Sequence, residues 1–283
     1  MVHAAAVWAW GDDGHYIVAT IAADHLTPTA RAQVALILGV PDDPPAVAAA
    51  MARASILPDY QFKEEDRATS AWHYIDLCLQ DTQHDEKARC PAGNCVTARI
   101  DDYASRLRRG VYDRWGADGD LAFLIHLVGD EYQPLHAANN EDLGGNCDRV
   151  RSQPPARNLH SAWDNAVVFR LEDELGARGP AAARRLEKID PPQPGQLTWR
   201  PGEAQQIAWQ SHEIAIDQIY RPLGIAEQPC AAIASCRLAP RVALILTPTY
   251  MNQAAALAGL RLAAAGYSLA ALLNTIWPQP PAH

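Results

Sequence analysis

Five side chains between Phe123 and Asp164 have the chemistry of metal ligands: His126, Asp130, His136, His160 and Asp164. The stretch reads FLIHLVGDEYQPLH, then a Gly-Gly-Asn loop, then NLHSAWD. His126 and Asp130 stand four apart in an apolar run, which on a helix puts both on one face. His160 and Asp164 repeat the spacing, so two pairs can aim four ligands into one interior space. His136 follows Pro134, where the first helix must bend or break. Two ordinary amphipathic helices with satisfied core polar groups would leave a carboxylate buried in Phe-Leu-Ile-His-Leu-Val-Gly-Asp, which is costly without a partner. The duplicated pair favours a metal instead. Imidazole and carboxylate without thiolate suit a catalytic zinc better than a structural one.

Helical signals dominate the chain around these groups. Asp12 or Asp13 can cap a helix through HYIVATIAADHL. Pro28, after Thr27, opens a second helix that ends near Gly39. An Ala-rich helix runs to about Ala54, and Val96 to Val111 is amphipathic with Ile100, Tyr103 and Leu107 on one face. Asp118–Leu135 and Leu159–Leu175 carry the paired ligands. Arg178–Leu186 reads as short and basic. Glu203–Tyr220 and Arg241–Asn274 complete the set. Lys63–Thr69 is a charged surface segment, and Ala71–Leu79 reads as a strand or the start of a helix. Pro191–Pro194 is the only candidate boundary, and its flanks are too short to be independent cores. The expected fold class is all-α, a single compact multi-helix domain.

At 283 residues, 48% of them hydrophobic, the chain can bury a large core. The net charge of -9 argues against a broad basic surface for nucleic acid or membrane. It leaves a nucleic-acid substrate open, because bound zinc supplies local positive charge. No apolar run reads as long enough to span a bilayer. The first nine residues, MVHAAAVWA, look like the tail end of a signal peptide, and Val7-Trp8-Ala9 fits the small-x-small pattern before a cleavage site. Cleavage after Ala9 would make Trp10 the N-terminus. Six cysteines favour an oxidising compartment, secreted or periplasmic. Cys90 and Cys95 bracket a tight loop that a local disulfide could staple. Cys230 and Cys236 bracket a similar loop, which leaves Cys78 and Cys147 to pair or stay free.

Three further residues carry ligand chemistry, each weak alone: His15 in Trp-Gly-Asp-Asp-Gly-His, Asp59 in Ile-Leu-Pro-Asp, and His73 in Trp-His-Tyr-Ile-Asp. With them the chain resembles a known family, the zinc-dependent, single-strand-specific nucleases of fungi (the S-one and P-one type), with plant bifunctional and bacterial relatives. The resemblance takes in Trp-Gly-x-x-Gly-His, His-Tyr-Ile-Asp, His-Leu-Val-Gly-Asp with Gln-Pro-Leu-His, Gly-Gly-Asn, and Asn-Leu-His-Ser-x-Trp-Asp. It covers nearly the whole chain after residue 9.

The resemblance implies the all-α fold of the zinc-dependent phospholipase C and single-strand nuclease type, and a cluster of three zinc ions. It assigns Asp59, His73 and His126 to one ion, with Asp130 bridging to a second that is also held by His15 and by the free amine and carbonyl of Trp10. His136, His160 and Asp164 would hold the third. It implies a water made acidic between two zincs as the attacking hydroxide, with Asp130, Asp59 and His126 at the catalytic pair, and 5′-phosphate products. No side-chain general base is needed. Tyr74 stands where the family stacks an aromatic on a base, and Asp76 where a carboxylate bonds a base edge. The bland readings are a core aromatic and a cap. One departure from the family is the run Asp59-Tyr60-Gln61-Phe62, which lacks a nearby Arg for phosphate, so Lys63 is the candidate substitute. The cysteine pattern also matches a family disulfide at Cys90 and Cys95, whereas a second family disulfide has no obvious matching pair.

The expected domains are residues 1–9 as a leader remnant, 10–277 as the catalytic domain and 278–283 as a Pro-rich tail. The expected partner is a single-stranded RNA or DNA substrate, and the protein is expected to be a monomer without stable membrane association. Two rivals stand beside this endonuclease reading: a zinc phospholipase C, and a non-catalytic zinc-binding structural or storage protein. Tyr74, Asp76 and the Gly-Gly-Asn and Asn-Leu-His-Ser-x-Trp-Asp motifs favour the nuclease over the first. A complete ligand set with a bridging carboxylate disfavours the second.

Overall fold

Around one helix, Gly116–Glu131, the rest of the molecule is assembled, and every residue of it from Gly119 to Glu131 is buried. From Leu121 to Asp130 it is apolar on all sides apart from its two ligands, the pattern of a helix enclosed by neighbours. The computed structural model describes residues 10–193, 195–229, 236 and 242–280. The leader residues, Cys230 and Pro281 lie outside that set. The surrounding helices are Asp12–Asp24, Pro44–Ala54, Val96–Arg109 and Pro248–Ile276, all in contact with the central one. The fold is all-α, as expected.

Local signals set most boundaries. The Thr27 hydroxyl accepts from the Ala30 amide ahead of Pro28, and Gly39 ends that helix with φ at 64°. Asp43 caps Pro44–Ala54 in the same way. Ile100, Tyr103 and Leu107 are buried together on Val96–Arg109. The central helix stops at Glu131, and Pro134–Ala137 forms a separate 3-10 turn, the break that Pro134 requires.

Several expectations are corrected. Residues 71–79 are neither a strand nor a helix start: Arg67–His73 winds as a 3-10 helix and the chain then extends from Tyr74. That extended stretch runs beside 136–139, with the Ile75 amide donating to the His136 carbonyl and the Asn139 amide to the Leu77 carbonyl, each at 2.8 Å. The basic segment near Arg178 is a full helix, Gly179–Ile189. The last helix starts at Pro248 rather than Arg241, because Leu244–Ile245 pairs in parallel with Val150–Arg151. Pro248–Ile276, at 29 residues, is also long and apolar enough to span a bilayer, against the expectation. Within this fold 72% of its most apolar window is buried against the protein.

The disulfides follow space rather than sequence. Cys90 and Cys95 are joined, as expected. Cys147 is joined to Cys236, 89 residues away, instead of either staying free or pairing with Cys78. The parallel pairing of Val150–Arg151 with Leu244–Ile245 brings those two regions together. Cys78 is disulfide-bonded as well.

Candidate metal centre

Packing on the central helix brings the outlying ligands in. Phe62 and Phe123 rings lie 5.1 Å apart, and Trp72 and Phe123 rings 5.4 Å apart. Phe62 closes the turn that begins Pro58-Asp59, and Trp72 precedes His73. Burying such aromatics is worth about 1.5–3 kcal/mol each, and it sets both ligands beside His126, one turn beyond Phe123. Asp59 and Asp164 each lie in a single π-type turn, Pro58–Phe62 and Ala162–Ala166. Turns wound one residue wide of the α-helix often occur at functional sites.

All eight predicted side-chain ligands converge in two neighbouring groups. His15, Asp59, His73, His126 and Asp130 form one continuous knot. Asp130 is at its centre: one carboxylate oxygen is 2.9 Å from His73 Nδ1 and 3.2 Å from His126 Nε2, and the other is 3.4 Å from His15 Nε2. Asp59 stands 3.7 Å from His73 and 3.8 Å from His126. Two overlapping trios within the knot have ligand atoms within 4.8 Å of one another: His15, Asp59, His126 and His73, His126, Asp130. The resemblance divides the same five differently, placing Asp59, His73 and His126 on one ion and His15 on another. His136, His160 and Asp164, the three that the resemblance assigns together, make the second group, with His160 Nε2 at 3.6 Å from Asp164.

These groups fit a metal on the chemistry of their donors. The Nδ1 atoms of His126, His136 and His160 donate to the carbonyls of Ser55, His73 and Gly144 at 2.6, 2.7 and 2.6 Å. A carbonyl can only accept, so Nδ1 carries the proton and Nε2 is left with its lone pair, the form in which imidazole binds a cation. Both ring nitrogens of His15, Nε2 of His73 and His136, and one oxygen each of Asp59 and Asp130 are buried without a hydrogen bond among the described residues. Native proteins rarely leave so many buried polar atoms unpaired in one place.

The electrostatics point the same way. Burial pushes the His136 imidazole down to about 4, so it stays neutral. Burial also favours a proton on Asp130, but His126, His15 and His73 outweigh it and hold the carboxyl well below the usual range. Asp164 is pushed well above that range by burial, against the opposing bond from Gln133. A bound cation would displace a proton there.

Trp10 is fully buried, and the next residue, Gly11, donates its amide to the Asp164 carbonyl at 2.8 Å. Its main chain thus lies beside the turn that carries Asp164. Lys63 reaches to 3.5 Å from Asp59. Tyr74 and Asp76 are half-buried, and Asp76 accepts from the Asn139 side chain at 3.2 Å. Burial first, and Asp142 next, lift the Asp76 carboxyl to about 6.

Residue types alone do not single out two supports of the site. Gln133 is fully buried, donates to Asp164 at 2.8 Å and accepts from the Leu135 amide at 2.7 Å, which fixes the carboxylate. Its place in Gln-Pro-Leu-His is the only signal. Gly129 lies so close to His15 that a Cβ there would be 3.0 Å from Nδ1.

The Gly-Gly-Asn loop also has a structural reason. Gly144 has φ at 62°, and a Cβ on it would meet the Leu135 carbonyl at 2.5 Å. Its own carbonyl orients His160. Gly144→Ala is therefore expected to destabilise by at least the roughly 1–2 kcal/mol of a left-handed alanine. Urea unfolding measures that loss, and metal analysis should show reduced occupancy of the His136, His160, Asp164 group. Unchanged stability would mean the loop relaxes freely.

A family model described as S1/P1 Nuclease matches residues 10–278. Nuclease P1 of Penicillium citrinum is 27% identical over 284 residues, 94% of this chain and 97% of that protein. Endonuclease 3 of Arabidopsis thaliana is 31% identical over 165 residues, 56% of this chain and 54% of the endonuclease. Nuclease S1 of Aspergillus oryzae is 29% identical over 160 residues, again 56% of this chain and 54% of the relative. The chain thus spans about half the length of the last two relatives and almost all of the first.

Proposed function

We propose, since this chain belongs to the S1/P1 nuclease family, that residues 10–277 form a zinc-dependent endonuclease for single-stranded RNA and DNA, releasing 5′-phosphate products. The observation that carries the reading is the convergence of eight buried imidazoles and carboxylates, three of the rings fixed by carbonyls so that Nε2 faces inward. Zinc held by these residues supplies an acidified water near neutral pH and positive charge for the phosphate oxygens.

The chain's own groups divide the remaining work. Asp130, at the centre of the knot, would be shared by two ions, with Asp59, His73, His126, His15 and Trp10 as their other ligands. His136, His160 and Asp164 would hold a third. Gln133 keeps the Asp164 carboxylate turned to its group. Lys63, at the edge of the knot beside Asp59, is the cation for a phosphate oxygen in place of the missing Arg. Tyr74 offers a stacking face for a base, and Asp76, steadied by Asn139, accepts from a base edge. Stacking tolerates any base, which suits a broad single-strand specificity. Trp10 contributes its amine once residues 1–9 are removed, so N-terminal sequencing of exported protein should begin at Trp10. The disulfides fit an oxidising setting, secreted or periplasmic, and the protein acts there as a monomer without membrane association.

The test is a substrate panel on one preparation: single-stranded RNA, single-stranded DNA and a choline phospholipid. Cleavage of both nucleic acids to 5′-phosphates is expected. Turnover of the phospholipid alone would make the protein a phospholipase C, and no turnover with metal bound would make it a binding protein. Tyr74→Ala is expected to weaken substrate binding by about 1–3 kcal/mol, the worth of one stacked base. It should raise KM with metal content unchanged; an unaltered KM would remove Tyr74 from the substrate site.

A further inference from the structure

Next to Asp76 the structure holds a second cluster of carboxylates that the nuclease chemistry does not use. Asp142 and Asp148 follow His136 in the chain and are 3% and 1% exposed. Asp142 Oδ1 accepts from the Asn140 amide at 3.0 Å and from the Tyr220 hydroxyl at 3.3 Å. Its other oxygen and both oxygens of Asp148 are buried and accept from no N–H or O–H donor among the described residues, and the two carboxyls lie within hydrogen-bonding reach of each other. Both residues face a cavity of about 350 Å³, lined also by Asn140, Ala226 and Gln228. A carboxylate buried without a partner is costly, and native structures seldom keep one unexplained.

Two arrangements relieve such a pair: a proton shared between the carboxylates, or a cation bound by both. Burial, with Asp142 adding to it, raises the Asp148 carboxyl to about 8, so the pair is not stable as two bare charges at neutral pH. A shared proton bridges one oxygen from each residue and gives the second oxygen of Asp148 no donor among the described residues. The cavity has room for an ion with several waters, each occupying about 30 Å³. No imidazole or thiolate lines it among the described residues. Oxygen-only donors select hard cations. An irregular set drawn from one loop suits the flexible coordination of Ca²⁺ better than the strict octahedron of Mg²⁺.

We propose that Asp142 and Asp148 form a calcium site distinct from the His/Asp centre. The ion cancels the two charges and ties down the loop between them. The Asp142 amide donates to Asn139, and Asn139 donates to Asp76, so the same loop supports the wall of the Tyr74 and Asp76 region.

The test compares zinc-loaded protein, dialysed into calcium-free buffer, before and after adding millimolar Ca²⁺. The melting temperature of the wild type is expected to rise by several degrees through binding to the folded state alone. Tb³⁺ should show luminescence sensitised by Tyr220, and Ca²⁺ should quench it by competition. Asp148→Asn removes one of the two like charges, so it should fold in calcium-free buffer at an equal or higher melting temperature and show no response to Ca²⁺. If that variant fails to fold, Asp142→Asn serves in its place. A wild-type melting temperature indifferent to Ca²⁺ means a shared proton and overturns the site. An equal rise in wild type and variant places the ion elsewhere and overturns it too.

Discussion

Asp130→Asn is expected to lower kcat/KM on single-stranded substrate by a factor on the order of 10³, about 4 kcal/mol of transition-state stabilisation. It is the most damaging single change because Asp130 is the shared centre of the knot, within 3.4 Å of His15, His73 and His126. The amide keeps the shape and the burial but loses the negative charge and one anionic oxygen. Its new NH2 group also turns a donor toward imidazole nitrogens that should face a cation. The paired ions would separate or one would leave. Metal analysis and single-turnover hydrolysis read the two consequences separately. A variant that keeps its full metal content and near-normal turnover would show that Asp130 is not the bridge.

Chelation should lower the melting temperature as well as stop hydrolysis. Removing the ions leaves one oxygen each of Asp59 and Asp130 and several imidazole nitrogens buried together without a partner among the described residues, and Asp164 held by Gln133 alone. Each such group costs about 1–3 kcal/mol, and five separate segments of chain meet at these ligands. For a chain of this size 1 kcal/mol corresponds to about 2–4 °C, so a fall of roughly 10 °C or more is expected on treatment with EDTA. Calorimetry with and without zinc restored checks it. An unchanged melting temperature would mean the pocket is held by its surroundings and that metal does not contribute to the fold.

The reach of the sequence differs from residue to residue, for physical reasons. His126 with Asp130 and His160 with Asp164 are legible because helical winding turns a spacing of four into a shared face. His136 is legible because Pro134 must break the helix before it. Asp59 and His73 have no such periodicity; packing of Phe62 and Trp72 on Phe123 delivers them, and only the resemblance to known motifs marks them in advance. The same limit applies to Cys147, whose partner is 89 residues away and is chosen by strand pairing. Gly144 reads as a turn residue, yet its necessity comes from the Leu135 carbonyl beside it. The start of the last helix is displaced to Pro248 because Leu244–Ile245 has a strand partner that local propensity cannot contain. The grouping of His15 with Asp59 is likewise a matter of how five side chains share one space, which spacing does not encode.

The proposed three-ion centre takes its ligands from Trp10, His15, Asp59, His73, His126, Asp130, His136, His160 and Asp164. Metal analysis of the mature, unchelated protein, on the same sample that hydrolyses single-stranded RNA and DNA, decides whether it forms. Three zinc ions per chain is the expected result. One zinc or none in fully active protein would contradict it.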